Sequence, residues 1–396
     1  MQPAIAPSER RRLMLIVGLC GALGVAAGAF YVAAFAATFG QDWTVFFTAV
    51  RLAFDGHLAN LYDVDRFTAL VDARFGLPAL GPHPWLYPPS YLLLLLPFGL
   101  LPFAASLGAF LVLGAVAAVV AVQSAVVRGW PRWFDAAALL LSPAAALTVA
   151  LGQNSFWTVA LLVGGFRLVP ASPVLGGILL GLATYKPQLW LLVPVALVAA
   201  RRWTALASAA VTAILLVAAS VAVFGLAPWQ HWIALLSGGG AYARWTTVGE
   251  LRGQSVYACV VLLGGSRTVG LLVQALAAAA AVGAVWWIHR RMRETDLQLV
   301  VLLAATLLAT PHVMDYDALL LVVAATLLFE RGLVDGFRSG EIAIVTLLWL
   351  STAFPPVLFR VGLIGSVLTA LIVAAALRRG GYSNRICTSS PITRTG

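Results

Sequence analysis

Residues 172–202 read SPVLGGILLGLATYKPQLWLLVPVALVAARR, with a single charge, Lys186, before the closing Arg201-Arg202. Apolar runs at 172–185 and 187–200 flank the tip Tyr185-Lys186-Pro187-Gln188. As helices, such runs of 14 residues each reach only about 20 Å. The hydrocarbon core of a bilayer is roughly 30 Å thick. The stretch therefore reads as a short hairpin whose tip lies inside the protein, below the membrane surface. A cation there is costly unless it is paired or lines a wet cavity. The arginine pair marks the return to the cytoplasm.

The rest of the chain agrees with this membrane reading. Of 396 residues, 61% are hydrophobic and 10% charged, and the mean hydropathy is +0.95. Soluble domains carry roughly 25% charged residues, so most of this surface must face lipid. The net charge of +10 comes from 24 Arg and one Lys against 15 acids. The arginines cluster between apolar runs, as the positive-inside rule requires, which excludes a nucleic-acid surface. Cys20, Cys259 and Cys387 suggest no disulfide framework.

Working outward gives one all-α domain over residues 1–379, with about 12 crossings and both termini cytoplasmic. Arg10-Arg11-Arg12 precede a first apolar run at 13–37, too long for a signal-peptide core and read as an uncleaved span. Residues 38–90 form an outer segment with an interfacial amphipathic helix around Phe46, Phe47, Val50 and Phe54. It ends in the rigid turn Tyr87-Pro88-Pro89-Ser90, and 91–101, cut by Pro97, is a half-helix. Spans follow at 103–127, 134–150, 156–169, the hairpin, 203–225, 268–289, 296–310, 315–329, 341–354 and 357–377. A second outer segment covers 226–266. With these spans 17 arginines fall inside and 7 outside. Residues 380–396 are read as a disordered cytoplasmic tail. Gly177 and Gly181 fit close packing of short helices, and no internal repeat is visible.

The polar residues that stand out lie toward the outer side. Asp42 follows the first span; a carboxylate there serves as a general base if a cavity desolvates it, or simply as a solvated loop acid capping a helix that starts near Thr44. Lys186, Arg252 and Arg360 are cations suited to a phosphate. Thr310-Pro311 is read as a helix start, which puts His312 and Asp315 on one face and Asp317 elsewhere. Two such ligands without a third do not make a metal site, so no metal or other cofactor is expected. Gln153, Asn154, Gln254, Asp315 and Tyr87 are candidates for binding a sugar or its acceptor. His83 and His231 read as interfacial. No nucleotide-binding glycine loop, CxxC pair or HExxH is present.

Several blocks taken in order carry a resemblance: GQDWTVFFTAVRLAFDGHLANLYD (40–63), YPPSYLLLLLPFGLLP (87–102), GQNSFWTVALL (152–162), the hairpin itself, GQSVYA (253–258) and TPHVMDYDALLL (310–321). The chain resembles glycosyltransferase family 87, polytopic enzymes of GT-C architecture that include polyprenyl-phosphate-mannose-dependent α-mannosyltransferases. The resemblance implies an outward-facing site in a bacterial plasma membrane, a polyprenyl-phosphate sugar donor and a lipid or glycan acceptor. It maps the catalytic base onto Asp42 and a catalytic histidine onto His312. Asp42 is followed by Trp43, not a second acid, which argues against a metal-dependent variant.

A transporter or flippase of a lipid-linked or anionic substrate is the rival reading. Transporters place ionisable groups near the midplane, often between repeated halves, whereas here the polar groups gather toward one side.

Overall fold

The computed structural model describes residues 7–76, 83–123, 133–237, 254–352 and 362–388, and among these every regular element is helical. Helix α1 (Pro7–Ala34) leads to α2 (Gln41–Phe54), α3 (Val64–Phe75), α4 (Pro89–Gly99) and α5 (Phe103–Val122). Next come α6 (Phe134–Leu140), α7 (Pro143–Leu151), α8 (Ser155–Leu168) and α9 (Pro173–Leu182). The hairpin continues as α10 (Pro187–Trp190) and α11 (Val193–Ala199), before α12 (Trp203–Phe224) and α13 (Ala227–Leu236). After residue 253 stand α14 (Val256–Leu262), α15 (Arg267–Arg291), α16 (Thr295–Ala309), α17 (Leu319–Asp335), α18 (Glu341–Ser351) and α19 (Gly362–Thr388). The last helix thus runs into the segment read from sequence as a tail.

The sequence reading of 12 crossings is not matched by full-length helices. Among the described residues four are long and apolar enough to cross a membrane: α1, α5, α12 and α15. A fifth crossing arises if α6 and α7, bent by 53°, count as one. Several of the others are shorter where proline restarts the chain: Pro89, Pro143, Pro173, Pro187 and Pro194 each sit in a first helical turn, where the missing N–H costs nothing.

The α6–α7 bend has an identifiable cause. Pro143 cannot donate to the Leu139 carbonyl; the Ser142 hydroxyl donates to it instead, at 2.7 Å, and accepts from the Ala145 N–H. The Ala138 carbonyl takes the Trp349 indole N–H at 3.0 Å.

Helices α16 and α17 form the centre. Residues Leu299–Ala305 are all buried, the mark of a helix surrounded by others. By contrast, only 11% of the most apolar window of α1, and likewise of α12, is buried, as lipid-facing helices require. Helices α9 and α12 pack through Gly177 and Gly181: a β-carbon at Gly177 would sit 2.4 Å from the Ala205 carbonyl oxygen. The small-residue spacing read from sequence is therefore a helix contact.

One end of the bundle carries an ionic layer. Arg379 and Glu341, both buried, form a two-bond pair, and Arg379 also donates to the Gly336 carbonyl. Arg331 bridges Glu294 and Asp335. Arg167 joins Asp296 and the free carbonyls Ala121 and Val122 at the end of α5. Leaving one partner of a buried pair uncompensated costs about 3–5 kcal/mol. Glu341→Leu should therefore lower the thermal unfolding midpoint in detergent sharply. Glu341→Leu combined with Arg379→Met should recover most of the loss. An unchanged midpoint in the single variant would contradict this packing.

Candidate active site

The second polar layer begins where two glycines meet. Gly40 and Gly152 have φ of +74° and +72°, a left-handed conformation that glycine adopts freely. The Gly40 N–H donates to the Ala150 carbonyl at 2.8 Å, and a β-carbon on Gly152 would lie 2.7 Å from that of Trp43. This approach sets the start of α2 against the start of α8. Asp42, in the first turn of α2, is half-buried and suits a helix N-terminus.

The contact lets Gln153 reach across: its Nε2 donates to Asp42 Oδ2 at 2.9 Å. The Asn154 N–H fixes the other end of that amide, donating to Gln153 Oε1 at 3.0 Å. Asn154 in turn donates its side-chain amide to the hydroxyls of Tyr87 and Tyr91, at 3.0 and 3.1 Å. The Tyr91 ring stacks on Tyr185 at 4.5 Å, and the Tyr185 and Thr158 hydroxyls are 2.7 Å apart. The turn carrying Tyr87 is held from outside: Tyr62 donates to the Tyr87 carbonyl and Trp232 to that of Leu86.

Next to Tyr185 stands Lys186, 2% exposed, with its Nζ 2.8 Å from Oδ1 of Asp317, itself 3% exposed. The ammonium also lies 5.0 Å from the centre of the Tyr316 ring, within cation–π range. Asp317 Oδ2 accepts the Met314 N–H at 3.2 Å. Burial, reinforced by Tyr316 and Asp317, raises the pKa of Tyr87 well above the usual phenol value. Burial lowers the pKa of His312, with Asp317 opposing and Lys186 reinforcing, so the imidazole is neutral at pH 7.

The structure changes part of the sequence reading. The helix expected from Thr310 begins only at Asp315, as a 3-10 turn. Thr310 is extended, with φ −90° and ψ 134°, so His312 and Asp315 do not share a helical face. Asp317, set aside on that argument, is the partner of Lys186. Asp315 is buried, with one oxygen on the Tyr316 N–H. Asn154 is fully buried and Gln153 nearly so; both hold neighbours in place. Gln254 is attached through its backbone, its N–H on the Val313 carbonyl at 2.9 Å. His83 lies 3.5 Å from Asp72, away from this layer, and His231 is exposed. Arg252 and Arg360 lie outside the described residues. Tyr91, Thr158 and Tyr185 were not singled out from sequence, because within apolar runs they look like ordinary core residues.

The family model of glycosyltransferase family 87 matches the chain over residues 85–311. The match spans more than half of the chain and includes Tyr87, Gln153, Asn154 and Lys186, while Asp42, His312 and Asp317 lie outside it. No curated protein and no solved structure matches.

Lys186→Met leaves Asp317 buried without its cation, so it should cost about 3–5 kcal/mol. Adding Asp317→Leu should restore most of that in a thermal unfolding measurement. The imidazole makes an acid-side prediction as well. Its folded pKa lies below the unfolded value of about 6.5, so the unfolded chain binds more protons between the two, and stability rises with pH across that window. The unfolding midpoint should therefore fall as pH drops below the ordinary imidazole range, and fall less in His312→Leu.

Proposed function

The chain belongs to glycosyltransferase family 87, and we propose that the Asp42 layer is its transfer site, with a polyprenyl-phosphate sugar as donor. The sugar we propose is mannose, the acceptor a lipid or glycan, the setting a bacterial plasma membrane with the site on its outer side, and the architecture GT-C. The observation that carries this reading is one half-buried carboxylate, Asp42, held by an amide relay that continues through Asn154 and two stacked tyrosines to the neighbour of the buried Lys186–Asp317 pair.

The chemistry asks for little more. A polyprenyl phosphate is its own leaving group, so no nucleotide site is needed. Asp42 takes the proton of the acceptor hydroxyl as that oxygen forms its bond to the anomeric carbon. The bond from that carbon to the phosphate oxygen breaks on the opposite face. The electron pair leaves with the polyprenyl phosphate, and the configuration inverts. Gln153 holds one carboxylate oxygen and so aims the other. The Tyr87 hydroxyl, kept protonated, and the neutral His312 supply hydrogen bonds to sugar or phosphate.

Lys186 has a narrower role here than a free phosphate clamp. Asp317 neutralises it, so the pair presents a dipole, and the phosphate gains from the ammonium only while sharing it. Arg252 and Arg360 remain the sequence's candidates for the missing positive charge.

The test is transfer in proteoliposomes supplied with labelled polyprenyl-phosphate mannose and membrane lipid acceptor. Asp42→Asn should lower turnover by roughly 10²–10⁴-fold, with the fold retained by thermal unfolding. Gln153→Ala should lower it less. Full activity in Asp42→Asn would overturn the assignment of the base.

A further inference from the structure

Far from this site, a cleft opens between α1, α6, α17 and α18. Its volume is about 260 Å³. Ile16, Cys20, Phe134, Leu141, Phe329 and Trp349 are among its walls. The cleft exists because of the bend at Ser142 and the Trp349–Ala138 bond, which hold α6 off the line of α7. Gly18 and Gly21 form its open side, and a β-carbon added at either would meet nothing within 4 Å. Since α1 is one of the lipid-facing helices, the cleft opens into the hydrocarbon of the bilayer.

Charge then says what kind of lipid. Arg12 lies one turn before Ile16 on the same helical face, and Arg11 two turns before Gly18. Both are exposed and make no ion pair among the described residues. Glu9 is the acid beside them. On the helices that wall the cleft, Asp135 beside Phe134 and Glu330 beside Phe329 are both buried and have interactions of their own, while Asp335 is engaged by Arg331 and Glu341 by Arg379. From Arg12 to Gly21 the helix rises about 14 Å, close to half the roughly 30 Å hydrocarbon thickness.

We propose that this face is a binding site for an anionic phospholipid of the leaflet on the Arg11–Arg12 side. One acyl tail fills the cleft, and the headgroup phosphate lies between the two guanidinium groups. The proposal stands on the cleft and its charges alone and does not depend on the transfer reading. Its function is a structural lipid that seals the junction of α1 with the broken helix.

Native mass spectrometry of the purified full chain, after exchange into phosphatidylglycerol, phosphatidylcholine or polyprenyl phosphate, tests it. The unaltered chain should retain one phosphatidylglycerol at least about tenfold better than phosphatidylcholine, as expected for two basic residues at an anionic headgroup. Arg11→Gln combined with Arg12→Gln changes no packed residue, and should abolish that preference. Gly21→Trp should fill the cleft and lose the lipid, with thermal unfolding confirming that the variant is folded. Equal retention of the two phospholipids by the unaltered chain would overturn the proposal. So would a preference for polyprenyl phosphate, or an unchanged preference in the arginine variant.

Discussion

A lone ammonium inside an apolar bundle must find a counter-charge, and much of this end of the protein is arranged around that need. Lys186 is buried at the joint between two short helical segments, α9 and the α10–α11 pair. Asp317 meets it because the chain after α16 stays extended through Thr310 before turning into α17. The Met314 N–H holds the second carboxylate oxygen. That bond orients the charge as well as satisfying it, as a buried ion pair requires. Tyr316 covers the ammonium from another side.

Around this pair the polar groups form a layer, not a scatter. Asp42 is tied to Gln153, Gln153 to Asn154, and Asn154 to two tyrosines. The stacked Tyr91 and Tyr185 then lead back to Lys186. Networks of this kind restrict each member to few geometries, which suits a base that must be aimed. The ionic layer around Arg379 lies at the opposite end of α16, whose 15 residues separate the two by about 22 Å. Between them the bundle is almost wholly apolar, so each layer is anchored independently.

Much of this was legible in the sequence, for physical reasons that can be named. Helix limits followed from apolar runs closed by arginine or restarted by proline, and α4, α8, α12, α15 and α16 lie close to where those signals put them. The burial of Lys186 inside the protein agreed with the reading of its short flanking runs. The crossing count did not follow, because an apolar run divided by proline has the composition of a span without its length. Nor did the partner of Lys186: a helix assumed to start at Thr310 turns Asp317 away from it. Gln153 stood out as a candidate for binding sugar but not as the partner of Asp42, since only the contact of Gly40 with Gly152 reveals what it reaches. The three hidden hydroxyls of Tyr91, Thr158 and Tyr185 differ from core residues by single oxygen atoms.

The central claim is that the Asp42 layer and the Lys186–Asp317 pair face one sugar phosphate. A cryo-electron microscopy structure of the protein in nanodiscs, with a non-hydrolysable polyprenyl-phosphonate sugar, tests this most directly. The account predicts the phosphonate on the His312 and Lys186 side, and the anomeric carbon turned toward Asp42 with space between them for an acceptor hydroxyl. A sugar phosphonate bound elsewhere in the bundle, or one held with Asp42 outside reach of any acceptor position, would contradict it.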